Sequence, residues 1–409
     1  MDTLEASDLP YREISGGVTA PRGFLAGSTY CGIKSGGRDL TVLAAESACV
    51  AAAVFTKNKV QAAPIAVNRR HLAATGGHAR AVVVNSGNAN ACTGRQGEVD
   101  AEEMARLAAE KIGCRPEEVL VASTGVIGVA MPMEKVRAGL QQVSLSKEAG
   151  HDAALGIMTT DTRAKEISLL VEAGGVELRF GGIAKGSGMI HPNMGTMLAF
   201  VTTDAAVEPA FLAAALQRSV DRSFNMISVD GDTSTNDTLI VLANGRAGNS
   251  PIAETAPLAA AFQEALDRVT MHLAREVARD GEGASKLIEV RVRGARNAED
   301  ARLAARAVAA SSLVKAAVYG ADPNWGRILC AAGYSGADVD GAVADVSVGE
   351  VQLMQRGDIL KFDHEAASRA LRHPEVHIDV NLNLGEGEAL AWGCDLTEQY
   401  VKINAEYTT

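Results

Sequence analysis

The sequence predicts an α/β protein, and three observations carry the prediction. Aromatic residues make up only 4% of a chain that is 47% hydrophobic, so Ala, Val, Leu and Ile must fill the core, which suits close-packed layers of helix and sheet. Short apolar runs end abruptly in loops rich in Gly, Ser, Thr and Asn, the mark of buried strands. Other stretches repeat apolar residues at steps of three and four, the period of an amphipathic helix. The 409 residues exceed one average domain and can bury a large core.

The elements follow in chain order. Ala81–Val84 is a short strand entering the polar loop "NSGNANACTG" (85–94). A helix then opens at Asp100, with Glu103 three residues on. It carries Met104, Leu107, Ala108 and Ile112 on one stripe and stops at Gly113. "VLVAS" (119–123) is a second strand, ending at Thr124-Gly125, and "TMLAFVTTDA" (196–205) is a third. The clearest helix is 258–279, where Leu258, Phe262, Leu266, Val269, Leu273 and Val277 share one face; it stops at Asp280-Gly281, just before Glu282. Another opens at Asn297, with Asp300 three residues on, and runs through "ARLAARAVAA". "KLIEVRVRG" and the tail "QYVKINAEYTT" read as strands and turns. There is no internal repeat, and the turn "RDGEGASK" (279–286) is the candidate domain boundary.

Composition excludes several classes. A net charge of −11 speaks against a nucleic-acid partner, because phosphate binding needs a basic surface. The N-terminal "MDTLEASDLPYREISGG" carries acids and no apolar core, unlike a signal peptide, and no run of about 18 apolar residues suits a membrane span. A cytoplasmic location is the expectation. The six cysteines are scattered without CxxC pairs and are expected to be reduced, buried, small apolar residues. His373 and His377 stand four apart, but Pro374 intervenes and no third ligand lies nearby, so no metal is expected there. "DGDTSTNDT" lacks the glycine position and closing Glu of a calcium loop, and "DPNWGRI" reads as packing at a domain junction.

The stretch "KGSGMIHPNMGTMLAF" (185–200) carries the chemistry. It is no Walker loop, because Lys185 precedes its glycines, and no dinucleotide fingerprint, because His191 stands where the third glycine belongs. One reading is a glycine-rich turn before a buried strand, with Thr196 an ordinary strand residue. In the other, the Gly195–Thr196 peptide is cut and Thr196 becomes an N-terminal residue. Its free α-amine, with an ordinary pKa of about 7.7–8, then serves as base to its own hydroxyl. Gly195, lacking Cβ, permits the strained backbone that self-cleavage needs. With the amine as base, His191 is not needed for catalysis, and a structural hydrogen bond is its expected role.

The blocks "NSGNANACTG" (85–94), "STGVIG" (123–128), "TTDT" (159–162), "GGIAKGSGMIHPNMGTML" (181–198), "SVDGDTSTNDT" (228–238), "DGEGASK" (280–286), "DPNWGRI" (322–328) and "NAEYTT" (404–409) occur in order along nearly the whole chain. In them the sequence resembles the ornithine acetyltransferase family of self-processing acetyltransferases; where many members have Ala before the nucleophile, this chain has Gly195. The resemblance implies a four-layer α/β/β/α sandwich over 1–285, cleaved into chains 1–195 and 196–409, with a smaller α+β domain over 286–409 whose tail closes the active site. It implies Thr196 as nucleophile, Thr124 and Gly125 as oxyanion hole, and Thr159, Lys185, Thr196, Glu282, Asn404 and Thr409 as substrate contacts. The implied reaction is ping-pong acetyl transfer from N-acetylornithine to glutamate, without metal or organic cofactor. Acetyl-CoA is expected as a further donor, and the assembly as a heterotetramer of two α and two β chains. Two other readings stay open at this point: a self-processing aminopeptidase or amidase of similar fold that passes the acyl group to water, and a non-enzymatic amino-acid-binding relative that never cleaves.

Overall fold

In a computed structural model of the protein, residues 11–191 and 197–406 are described. They divide into two compact units. One gathers residues 11–185, 197–220 and 234–273; the other gathers 186–191, 221–233 and 274–406.

The first unit is built on a nine-stranded sheet. Its strands run in the order Tyr11–Glu13, Lys165–Ala173, Val176–Lys185, Leu198–Thr203, Thr238–Ala243, Leu40–Phe55, His78–Asn88, Val119–Val126, with Phe24–Thr29 also paired to Leu40–Phe55. Side chains alternate across a strand, and both faces are apolar here. Val82, Val84, Leu120, Ala122, Phe200 and Ile240 pack on one side with Phe24, Ala153 and Ile157. Ala81, Val83, Val119 and Val121 pack on the other, under Met104, Ala105 and Ala108 of the helix Gly94–Ile112 and Val136 and Leu140 of Met133–Gln142. Each fully buried Val, Leu, Ile or Phe contributes about 1.5–3 kcal/mol of transfer free energy.

The predicted elements other than the tail are present, with shifted ends. The helix expected to open at Asp100 begins six residues earlier, at Gly94, and Asp100 is a buried interior residue whose carboxylate accepts a hydrogen bond from Gln96 Nε2 at 2.8 Å. Its stop is as read: Gly113 caps it in the left-handed conformation. The strand expected at Ala81–Val84 spans His78–Asn88, because Asn85–Asn88 continue the pairing with Ser123–Val126 instead of looping out. The long helix runs Ala259–Arg279, with Phe262, Leu266, Val269, Leu273 and Val277 fully buried and Leu258 just outside it.

The second unit carries a seven-stranded sheet ordered Asp358–Ile359, Val351–Gln355, Asp345–Val348, Glu375–Asn381, Leu287–Ala295, Gly387–Cys394, Ile227–Ser228. The helix Ala298–Ala310 packs on three of these strands, and its N-cap is the one read from sequence: Asn297 Oδ1 accepts from Asp300 N–H at 2.9 Å. A Cβ on Gly393 would sit 2.7 Å from the Ala309 carbonyl oxygen, so glycine is what lets this helix approach the sheet. The mixed α/β class of the prediction, two sheets flanked by helices, is therefore observed.

The expectations for the tail and for the burial of the cysteines are corrected. The tail is not strand and turn: Glu398–Glu406 is a helix. Among the cysteines only Cys49 and Cys394 are buried; Cys92 and Cys330 are exposed, and all six are free. His377 belongs to the strand Glu375–Asn381, where its Nδ1 pairs with Glu289 Oε1 at 3.2 Å, so no helical face unites it with His373. "DPNWGRI" opens the helix Trp325–Gly333, capped by Asn324, and Arg327 reaches the Leu313 carbonyl at 3.0 Å. Among the described residues no helix is long and apolar enough to cross a membrane.

Candidate active site

Lys185 ends the strand Val176–Lys185 and lies opposite Leu198, the first residue of the next strand; Leu198 in turn lies opposite Thr238. The strand that begins two residues after Thr196 in sequence is thus clamped between two neighbours at its first residue. Lys185 is 8% exposed, and its Nζ donates to Thr124 Oγ1 at 3.2 Å. The lysine occupies a lone pair of the Thr124 oxygen, which leaves the hydroxyl hydrogen to be donated elsewhere.

Thr124 and Gly125 close the strand Val119–Val126, with Ser86 and Gly87 directly opposite. Gly125 has φ +134°, and a Cβ there would lie 2.2 Å from the Gly87 carbonyl carbon and 2.5 Å from the Asn88 nitrogen. Only glycine fits that backbone. A hydroxyl and a backbone N–H at one strand end are donors of the type a tetrahedral oxyanion requires.

Thr159 is positioned through its backbone. Its N–H donates to Asp161 Oδ2 at 3.0 Å, and Asp161 Oδ1 is paired at 2.6 Å with Lys165; both ion-pair side chains are 0% exposed. The preceding carbonyl, Met158 O, accepts from Lys34 Nζ at 2.7 Å, and the same ammonium donates to Ser86 Oγ at 3.0 Å.

Asp237 is fully enclosed beside this group. The Thr56 and Ser234 hydroxyls, the Met197 N–H and the Lys185 ammonium favour its ionised form, but burial outweighs them and pushes its carboxyl well above the ordinary value. Its Oδ2 has no hydrogen-bond partner among the described residues. Asn236 Nδ2 ties the segment to both neighbouring strand ends, donating to Ala89 O at 2.5 Å and Ser123 O at 2.8 Å.

The second unit holds its own cluster. Glu282 donates its N–H to Ser187 O at 2.8 Å and accepts from Asn404 Nδ2 at 2.9 Å. Its carboxylate stands so close to Gly188 that a Cβ there would be 2.4 Å from it. Asp230 accepts the N–H groups of Met189 at 2.6 Å and Ile190 at 2.8 Å. His191 Nδ1 meets Ser228 Oγ at 3.0 Å, and burial, then Arg306 and Lys315, push its pKa down to about 4, so the ring is neutral at pH 7.

Of the residues predicted from sequence, Thr124, Gly125 and Lys185 are adjacent, and Glu282 and Asn404 are hydrogen-bonded. Gly195, Thr196 and Thr409 lie outside the described residues. Sequence reasoning missed Lys34, Ser86, Asp161, Lys165 and Asp237. Asp237 sits in a segment read as a block of family resemblance and set aside as a calcium loop, with no role given to the residue itself; the available signal was its place immediately before a six-residue apolar strand.

The ArgJ family model matches residues 25–409. The chain is 56% identical over 401 residues to a Symbiobacterium thermophilum protein named arginine biosynthesis bifunctional protein ArgJ, covering 97% of this chain and 99% of that one. A Bacillus halodurans crystal structure under the same protein name is 47% identical with a TM-score of 0.51, covering 52% of this chain and 100% of that chain. A Mycobacterium tuberculosis ornithine acetyltransferase structure, complexed with ornithine, is 36% identical with a TM-score of 0.40, covering 46% of this chain and 100% of that chain.

Proposed function

The chain belongs to the ArgJ family, and on that premise we propose that this enzyme of arginine biosynthesis transfers acetyl from N-acetylornithine to glutamate through an acetyl-Thr196 intermediate. The precursor splits between Gly195 and Thr196. The Thr196 hydroxyl attacks the acetyl carbonyl while its own α-amine takes the hydroxyl proton. Thr124 Oγ1–H and the Gly125 N–H hold the oxyanion; the amide C–N bond breaks, the amine returns the proton, and ornithine leaves. Glutamate's amine then attacks the ester carbonyl, and N-acetylglutamate departs as the hydroxyl is restored. The reaction so written draws on no metal or organic cofactor.

The observation that supports this reading is the row Lys185–Leu198–Thr238, with Lys185 on the Thr124 hydroxyl: an ammonium and a hydroxyl of the kinds the reaction needs stand where the strand after Thr196 begins. The halving is supported by the Bacillus halodurans chain, which 52% of this sequence covers entirely. Lys185 takes the α-carboxylate common to both amino acids, Thr159 adds a polar contact, and Glu282 with Asn404 and Thr409 holds the substrate's amino end. Acetyl-CoA serves as a further acetyl donor, the cleaved chains assemble as two α and two β in the cytoplasm, and residues 286–409 form the C-terminal domain.

Intact mass is the first test: an active wild-type protein that stays one 42.5 kDa chain would refute the processed nucleophile. Thr196→Ala is expected to abolish both cleavage and transfer. Incubation with N-acetylornithine and glutamate should yield ornithine and N-acetylglutamate; acetate without N-acetylglutamate would identify a hydrolase instead.

A further inference from the structure

We propose that Lys34 is a substrate-contacting residue that, beside Lys185, forms a two-ammonium pocket for the dicarboxylate acceptor and reads the γ-carboxylate that distinguishes glutamate. The inference rests on the acetyl-transfer reading for the identity of the acceptor, but its geometry stands alone.

Lys34 lies in the turn between the strands Phe24–Thr29 and Leu40–Phe55, and the turn is held rigidly. The buried carboxylate of Asp39 accepts the N–H groups of Cys31 and Ile33, each at 2.7 Å, and of Lys34 at 3.3 Å. The Lys34 stem passes over Gly87, where a Cβ would stand 2.9 Å from Lys34 Cβ, and Gly87 in turn underlies Gly125. The side chain is therefore layered onto the strand that pairs with the proposed oxyanion strand. Its ammonium donates only to the neutral acceptors Ser86 Oγ and Met158 O, and no carboxylate of the described residues lies within ion-pair distance.

An ammonium donates three hydrogen bonds, and two are used. Burial holds Lys34 below the ordinary lysine value, and Lys185 pushes the same way against the pull of Asp39 and Asp161. Lys34 on Ser86 and the buried Lys185 on Thr124, the residue opposite Ser86, set two cations on neighbouring strand ends, and with no ion-paired carboxylate on Lys34 they favour an anionic ligand, whose arrival relieves their repulsion. One α-carboxylate occupies Lys185. A second ammonium is surplus for ornithine, whose far end is itself cationic, and matches an amino acid with a second carboxylate.

The test compares glutamate with glutamine, its neutral isostere, as acceptors for acetylated enzyme. Wild type is expected to prefer glutamate by tenfold or more in kcat/KM. Lys34→Met should lose that preference, raising KM for glutamate at least tenfold more than it slows acetylation by N-acetylornithine, while Lys34→Arg keeps the preference. A Lys34→Met enzyme that discriminates like wild type, or a wild type indifferent between the two acceptors, overturns the proposal. A measurement on unaltered protein covers a variant that fails to fold: amidination of lysines by methyl acetimidate, mapped by peptide mass. Glutarate should protect Lys34 and butyrate should not; equal labelling with both overturns the proposal. Protection by glutarate in a protein that transfers no acetyl to glutamate would overturn the acetyl-transfer reading and leave the dicarboxylate site standing.

Discussion

Gly125→Ala tests the oxyanion geometry most directly. The added Cβ would stand 2.2 Å from the Gly87 carbonyl carbon, about 1.2 Å inside the 3.4 Å of ordinary contact, and 2.6 Å from Gly87 Cα. These are backbone atoms on the adjacent parallel strand, with no rotamer to swing away. Relief requires the Gly87–Gly125 pair to open by roughly an ångström, at an overpacking cost of about 1–3 kcal/mol. The φ of +134° adds about 1–3 kcal/mol for a residue with a side chain. Together these predict a loss of roughly 2–6 kcal/mol, visible as a lower Tm. The same shift moves the Gly125 N–H off the oxyanion, and a 1 Å misplacement costs about 10²-fold in rate. The assay is the burst of ornithine released by N-acetylornithine alone, read on protein already cleaved into two chains. A Gly125→Ala enzyme with wild-type Tm and burst rate would refute the oxyanion assignment and the packing argument together.

Lys185→Met removes a charge-assisted hydrogen bond worth about 1.5–3 kcal/mol, so KM for both N-acetylornithine and glutamate should rise roughly 10- to 150-fold; an unchanged KM for both would exclude Lys185 as the carboxylate contact. His191 has a folded pKa of about 4 against the ordinary 6.5, so the unfolded chain takes up its proton first. Its contribution is complete above pH 6.5 and is lost as pH falls toward 4, by roughly 1–2 kcal/mol once solvent screening is allowed for. Urea titrations of wild type and His191→Asn across that window should differ in slope, and identical slopes would show that His191 does not titrate as described.

The long helices were legible because their signal is local. Each residue on the stripe from Phe262 to Val277 faces the core, and the cap at Asn297 needs only its own side chain and the N–H three residues on. The start at Asp100 was misread because a D-x-x-E pair looks the same at a helix end and in a helix interior. What separates the two is burial, since Asp100 is satisfied by Gln96 inside the structure. The tail failed for a related reason: "EQYVKINAE" has no buried residue, so nothing in its pattern marks a core-facing side.

The site was legible to the extent that its chemistry is written in residue type. A threonine after glycine before a strand can be argued as a nucleophile from its own atoms. Asp237 cannot, because its character comes from where the sheet sets it. The peptide N–H of Met197, one bond beyond the Thr196 carbonyl carbon, points to the Asp237 carboxyl, and the next N–H along, Thr238, is bound to Met197 O at 3.0 Å. Enclosure of a carboxyl with one oxygen unpartnered costs several kcal/mol unless it is protonated or faces a cation, and Lys185 is the cation present. The strand that begins at Leu198 is therefore held through a group whose charge answers to Lys185, which itself sits on Thr124. Removing any one of the three should disturb the other two, and this coupling is invisible in a sequence where they stand at 124, 185 and 237.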